Sequence, residues 1–139
     1  MKENKYIKHK KEIEKKINDF PQFWAFSNEQ FEEGLKKLGT TKEEILSTGY
    51  GGYIRKKDKN KYIQMWGEIN KKETENLKDD TFLYQAFRYE LNNHEFGYTY
   101  DLEPALSALS LKFETLTKRE MKILDKAKKD YLKDCEDIF

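Results

Sequence analysis

The sequence predicts an α+β fold, in which a small three-stranded antiparallel sheet is covered by six or seven helices. Three observations carry this prediction. Amphipathic patterns bounded by capping signals fill most of the 139 residues. Three short runs, rich in aromatic residues or in glycine and tyrosine, interrupt those patterns and favour strands. Aromatic residues make up 14% of the chain, which is enough for a core although 38% of the residues are charged.

The length favours a single domain spanning 1–139. Within it, terminal helices at 1–19 and 117–139 are expected to flank a core of about 20–111.

The first elements follow from periodicity. Apolar residues recur at helical spacing over 2–19, and Pro21 ends the predicted helix. The aromatic run at 23–26 is typical of a buried strand, so we expect Trp24 and Phe26 to lie in the core.

Two capping signals follow this strand. Ser27 and Gln30 form a capping box that begins the second helix, and Gly39 is placed to end it. Thr41 and Glu44 repeat the box and predict a short third helix.

The middle of the chain contains a glycine-rich strand and two further helices. The range 50–55 reads as the second strand, with two glycines near its start that indicate a bulge or a close neighbour. Asp58 can begin the next helix. Asp79 or Asp80 can begin another, whose broad apolar face suits the centre of a core.

The last elements are a strand and two helices. The alternation of tyrosine and threonine at 96–100 predicts the third strand. Asp101 can cap a short helix, and Thr117 with Glu120 forms a capping box for the C-terminal helix.

Residues that carry chemistry are sparse. His9 and His94 lack the paired spacing of a metal site, and Cys135 lies among carboxylates that disfavour a thiolate. The glycines lack the spacing of a phosphate-binding loop. The sequence therefore predicts no catalytic residue, no metal and no cofactor. A small enzyme built around His94 with Glu95 or Asp101 is the alternative, and it requires these groups to converge on a pocket.

The most distinctive segment joins glycines and tyrosines to a basic cluster. Flexible backbone, flat rings and cations together suit contact with a larger molecule. The predicted partner-binding residues are Tyr50, Tyr53, Arg55, Lys56, Lys57, Lys59 and Lys61.

Charge leaves two kinds of partner open. The formal net charge is only +1, so the total does not indicate a nucleic-acid binder. A second basic cluster in the first helix would form a stripe with the first if the two align, and nucleic acid is therefore the alternative partner to a protein or ribonucleoprotein. This second cluster comprises Lys2, Lys5, Lys8, Lys10, Lys11, Lys15 and Lys16.

The location is expected to be cytoplasmic. The single cysteine cannot form an intramolecular disulfide, and no apolar stretch is long enough to cross a membrane or to act as a signal peptide.

Several short motifs resemble those of a family of small uncharacterised proteins carried by phages and other mobile elements of low-GC Gram-positive bacteria. The motifs are Phe-Trp-Ala-Phe-Ser at 23–27, Gly-Gly-Tyr-Ile at 51–54, Asn-His-Glu-Phe at 93–96 and Thr-Tyr-Asp at 99–101. The resemblance covers about 20–111. It implies a phage-type accessory protein, such as an inhibitor of a host defence system like a CRISPR nuclease, and it supplies no catalytic residues.

Together these observations predict a non-enzymatic interaction protein that binds its target stoichiometrically and blocks it.

Overall fold

The computed structural model describes the backbone of residues 3–138 and the side chains of residues 3–136. Lys2, which belongs to the predicted first helix and its basic cluster, lies outside the described residues. The helices are α1 (Lys5–Asp19), α2 (Asn28–Leu38), α3 (Lys59–Asn76), α4 (Asp80–Asn93), α5 (Phe96–Thr99), α6 (Glu103–Ala108) and α7 (Lys118–Ile138). The strands are β1 (Gln22–Trp24), β2 (Ile45–Gly49) and β3 (Gly52–Arg55). Short 3₁₀ turns occupy Lys42–Glu44, Lys56–Asp58 and Phe113–Thr115.

The predicted fold class is confirmed. The described residues form one three-stranded sheet with the order β1-β3-β2, and both pairings are antiparallel. Phe23 lies opposite Tyr53, and Ile54 of the central strand is buried. The bulge lies between Ser47 and Gly49 on β2.

The prediction of a strand at 96–100 is wrong, because this segment contains helix α5. Glu95 and Tyr100 flank the helix with φ of 54° each, in the left-handed region, which ends the regular backbone on both sides. Phe96 is buried and its ring packs against that of Tyr131. Burial of this ring among helices outweighs the alternating pattern.

The prediction of a helix after Thr41 is also wrong. Only the 3₁₀ turn Lys42–Glu44 forms there, and the Thr41 side chain does not cap it. Ile45 and Leu46 then enter β2, where they pair with Arg55 and Ile54 of β3. Strand pairing, which the local capping pattern does not encode, decides this segment.

Other capping signals are confirmed. Ser27 accepts a hydrogen bond from the Gln30 amide at 3.2 Å, and Gly39 ends α2 with φ of 69°. Thr117 and Glu120 form a complete box, in which each side chain accepts from the other residue's amide, at 3.1 and 2.8 Å.

The contacts divide the chain into two compact units. The sheet unit is Glu12–Lys71, and the helical unit is Met1–Lys11 with Lys72–Phe139. The prediction of a single domain stays a prediction. In the sheet unit, α2 packs closely on β1. A Cβ added to Gly34 of α2 would overlap the ring of Phe23 in β1.

The helical unit has its own apolar core. Helix α4 lies at its centre and packs against α6 and α7, as the broad apolar face predicted. The core residues of α4 are Phe82, Leu83, Ala86, Phe87 and Leu91. None of the helices in the described part of the chain is both long and apolar enough to span a bilayer.

Candidate interaction surface

The β2–β3 hairpin turn has an unusual backbone. Gly49, Tyr50 and Gly51 all have positive φ, of 94°, 52° and 83°. Glycine adopts this region without steric cost, whereas tyrosine is strained there by roughly 1 kcal/mol or more. Tyr50 is 100% exposed, so the turn presents this side chain to solvent.

Two further aromatic side chains lie beside this turn. Phe26 is 79% exposed and its ring lies against Gly51, where an added Cβ would come within 2.5 Å of a ring carbon. Trp24 is 49% exposed, and its cross-strand neighbour is Gly52, which has no side chain to cover the indole. We call Trp24, Phe26 and Tyr50 the aromatic patch.

The prediction that Trp24 and Phe26 lie in the core is therefore wrong. Successive residues of a strand point to opposite faces. Phe23 takes the face that packs on α2 at Gly34, which leaves Trp24 on the other face. Sequence periodicity over a strand of three residues is too short to assign these faces.

Tyr53, a predicted partner-binding residue, is half-buried in an aromatic cluster. Its ring stacks on that of Phe23 with centroids 5.3 Å apart and meets the edge of Phe31 at 5.0 Å. This packing helps to hold α2 on the sheet. The structure therefore gives Tyr53 a packing contact within its own unit.

Arg55 also has an internal partner. Its Nε donates to Oδ2 of Asp58 at 2.7 Å, and Asp58 is buried. A buried carboxylate requires such a partner, because its desolvation is otherwise costly. Arg55 thus stabilises the Lys56–Asp58 turn.

The remaining predicted cations are exposed. We call these four residues the lysine cluster. Lys56 and Lys57 lie in the turn that follows β3, and Lys59 and Lys61 lie at the start of α3. The aromatic patch lies at the other end of β3, which spans about 13 Å over its four residues. The predicted site is therefore two surfaces at opposite ends of one strand.

The two basic segments of the sequence meet only in part. Lys16 of α1 lines a groove of about 480 Å³ together with Arg55 and Lys61, but Asp19 and Glu68 line it too. Three of the more N-terminal lysines form ion pairs within the helical unit. These pairs are Lys5 with Asp79, Lys8 with Glu3 and Lys10 with Glu90. Carboxylates therefore lie beside lysines of α1 in each unit, and the alignment of the two basic clusters stays a prediction.

A buried carboxylate in the helical unit was not anticipated. Glu90 is 1% exposed, and its Oε1 accepts hydrogen bonds from the Tyr6 hydroxyl at 2.7 Å and from Lys10 Nζ at 3.3 Å. Its Oε2 lies 3.2 Å from Nε2 of His94. The sequence does carry a signal, because Glu90 falls at helical spacing from Leu83, Ala86 and Phe87 on the apolar face of α4.

The surroundings of Glu90 shift the acidity of Tyr6. Burial, followed by the hydrogen bond to Glu90 and the charge of that carboxylate, raises the pKa of Tyr6 far above its ordinary value. The hydroxyl therefore stays a donor at every pH at which the protein would be handled. Lys10 also lies over the rings of Tyr6 and Tyr89, 5.4 and 5.1 Å from their centroids.

Glu73 gives a test of this electrostatic environment. Burial raises the pKa of Glu73, Lys10 opposes the shift and Glu90 adds to it. A raised carboxyl pKa means that the native state favours the neutral form of Glu73. The stability that the neutral carboxyl contributes is therefore present below the unfolded pKa of about 4.3 and is lost as the pH rises through the folded pKa. Glu73→Gln, neutral at every pH, should raise the Tm at pH 7 by about 1 to 3 °C and leave it unchanged at pH 4.

Thermal unfolding followed by circular dichroism checks this prediction. The exposed neighbour on the same helix provides a matched control, because Glu75→Gln removes one charge without removing a buried one. A Glu73→Gln gain at pH 4 equal to that at pH 7 would contradict the assigned cause.

The geometry around His94 differs from the enzyme hypothesis. His94 contacts Glu90, whereas Glu95 is exposed and Asp101 accepts a hydrogen bond from the amide of Glu103 at 3.0 Å. Among the side chains that the structure describes, no three from His, Cys, Asp or Glu are grouped so that they could hold a metal ion. Cys135 is half-buried and forms no disulfide in the described part of the chain.

Comparison with known proteins assigns the chain to a family. The model of DUF7659, a family of unknown function, matches residues 4–134, and the chain therefore belongs to this family. No curated protein and no solved structure matches the chain. The predicted likeness to an uncharacterised family agrees with this match, while a phage or mobile-element origin stays a prediction.

Proposed function

We propose that this member of a family of unknown function is a non-enzymatic interaction protein, which binds another protein stoichiometrically and blocks it. The observation that carries the proposal is the aromatic patch. Three large aromatic side chains are exposed beside one turn, at 49%, 79% and 100%. Contiguous exposed aromatic side chains mark protein contact sites, and residues of this type supply much of the binding energy at interface centres.

The backbone supports the same function. The left-handed run at 49–51 holds Tyr50 outward, and the Ala25 amide donates to the Gly51 carbonyl at 2.9 Å, which fixes the turn against the end of β1. A surface that is ordered before binding loses less conformational entropy on association. Strain retained in a solvent-exposed turn is typical of functional positions.

The lysine cluster indicates the charge of the partner. Four exposed lysines at the far end of β3 favour an acidic rim on the bound protein, since complementary charges steer association. A ribonucleoprotein would present such a rim.

We extend the proposal to a cytoplasmic accessory protein of phage or mobile-element type that inhibits a host defence nuclease. The sequence motifs support the phage-type setting, and the lone half-buried thiol supports the cytoplasmic location.

The test begins with a partner captured from the host, identified and then purified. Binding of the purified partner should be stoichiometric, and the triple variant Trp24→Ser, Phe26→Ser, Tyr50→Asn should weaken it at least about thirtyfold, or roughly 2 kcal/mol. Asparagine is chosen because it tolerates the left-handed region. Titration calorimetry measures stoichiometry and affinity together.

Ile63→Ser provides the control, since Ile63 is an exposed apolar residue of the same unit outside the patch. It should change the affinity less than about threefold. Unaltered binding by the folded triple variant, or the absence of any purified protein that binds, would refute the proposal.

The exposed lysines also favour a second candidate, direct nucleic-acid binding. In that case a gel shift with single-stranded oligonucleotides should show affinity that falls steeply with salt and depends on Lys56, Lys57 and Lys59 but not on Trp24 or Phe26. Absence of binding at low salt removes this candidate.

A further inference from the structure

We infer that the helical unit carries a second binding surface, whose charge is opposite to that of the lysine cluster. This surface is a groove that accepts a cationic amphipathic segment of a partner protein. The groove lies along α6 and the segment that follows it, and its volume is about 470 Å³. It is lined by Tyr100, Asp101, Leu102, Glu103, Leu106, Ser107, Leu111, Lys112, Phe113 and Glu114.

About half of the residues that line the groove are apolar or aromatic. Leu106 is buried at its floor, and Leu102 and Leu111 pack against the core of the unit. Tyr100 is 68% exposed and Phe113 is about half exposed, so two aromatic rings border the space without being covered. Such rings can hold one or two apolar side chains of a bound segment.

The rim of the groove is acidic. Asp101, Glu103 and Glu114 line it against a single cation, Lys112. None of these three carboxylates forms an ion pair with a side chain that the structure describes, whereas many other acids of the helical unit are paired. Three carboxylates without an ion pair, beside leucine and aromatic side chains, complement lysine or arginine flanking an apolar residue, and they repel nucleic acid and anionic lipid.

The backbone of the groove is fixed at both ends. Tyr100 and Ser110 have φ of 54° and 58°, and backbone hydrogen bonds hold them, from Tyr100 to Phe96 at 2.9 Å and from Ser110 to Ser107 at 3.0 Å. The amide of Leu111 closes the turn onto Leu106 at 2.9 Å. The groove therefore exists before a ligand arrives, which reduces the entropic cost of binding.

The groove belongs to the helical unit, whereas the aromatic patch and the lysine cluster belong to the sheet unit, and the charge of the groove is opposite to that of the lysine cluster. The protein would then bind two partners, or two parts of one partner, and binding at two sites raises the effective affinity. The proposal does not depend on the function proposed for the aromatic patch.

The test uses a short fluorescent peptide with repeated Lys-Lys-Leu-Leu, whose binding is followed by fluorescence anisotropy. Peptides with Glu in place of Lys, or Ser in place of Leu, separate the charged from the apolar contribution. The Lys-Leu peptide should bind at least about tenfold tighter than either. Its amide shift changes in NMR should lie at 100–103 and 111–114.

Matched variants locate the site. Asp101→Asn with Glu103→Gln and Glu114→Gln should weaken peptide binding about tenfold, and so should Tyr100→Asn with Phe113→Ser. Glu33→Gln with Glu43→Gln and Glu44→Gln removes the same charge from exposed positions of the sheet unit and should change binding less than about twofold.

Two results would overturn the proposal. One is equal loss in the groove and control variants, which would mean diffuse attraction to acidic surface. The other is self-association of the wild-type protein in sedimentation that requires both the groove carboxylates and the lysine cluster, which would make a second copy the occupant.

Discussion

Gly34→Ala is expected to lower the free energy of unfolding by about 2 kcal/mol and the Tm by roughly 5 to 10 °C. Alanine normally stabilises the interior of a helix by about 1 kcal/mol relative to glycine. At this position the added Cβ would overlap the ring of Phe23, which also stacks on Tyr53. The ring cannot withdraw without breaking that stack, so the cost of overpacking exceeds the gain in helix propensity. Thermal and urea unfolding measure the change.

A second helical glycine provides the control. Gly67 lies in α3, is exposed, and has open space where its Cβ would be. Gly67→Ala should therefore stabilise the protein by about 0.5 to 1 kcal/mol. Phe23→Ala should abolish the penalty of Gly34→Ala, because the colliding ring is then absent. Stabilisation by Gly34→Ala in the wild-type background would contradict the packing described for α2 and β1.

Features set by a few neighbouring residues could be predicted from the sequence. Ser27 with Gln30, Gly39, and Thr117 with Glu120 act within one helical turn, and each lies where the capping pattern places it. Tyr50, a predicted partner-binding residue, is exposed.

Features set by residues that are distant in the sequence could not be predicted from it. The segment 45–49 forms a strand where a helix was predicted, because it pairs with β3. The segment 96–100 contains a helix where a strand was predicted, because Phe96 packs in the helical core. The faces of Trp24 and Phe26 depend on the register of β1 with β3. The predicted number of strands, three, agrees with the structure, but the predicted strand at 96–100 does not form and β2 lies at 45–49.

The predicted binding residues show the same limit. Composition indicated which side chains suit a partner, but it did not reveal that Arg55 is held by Asp58 or that Tyr53 stacks on Phe23. Lys56 and Lys57 are exposed as expected, yet they lie a strand's length from Tyr50.

Glu90→Leu is expected to lower the free energy of unfolding by about 3 kcal/mol, because it removes the acceptor of Tyr6 and of Lys10 from the interior. The buried Tyr6 hydroxyl would then lack its partner. Tyr6→Phe alone should cost about 1 kcal/mol, since Glu90 keeps Lys10 and His94. Glu75→Leu, at an exposed position of α3, should stay within about 0.5 kcal/mol of the wild type.

The double variant Tyr6→Phe with Glu90→Leu distinguishes two roles for the carboxylate. If Glu90 serves chiefly to satisfy the buried hydroxyl, an apolar pair restores stability to within about 1 kcal/mol of the wild type, as replacement of buried polar groups by apolar ones often does. Lys10 can follow because it is partly exposed and can turn to solvent. If the double variant is as unstable as Glu90→Leu alone, the stabilisation resides in the charge that Glu90 offers to Lys10 and His94. That result would make the cluster of Tyr6, Lys10, Glu90 and His94 an electrostatic unit, sensitive to any group that competes for the carboxylate.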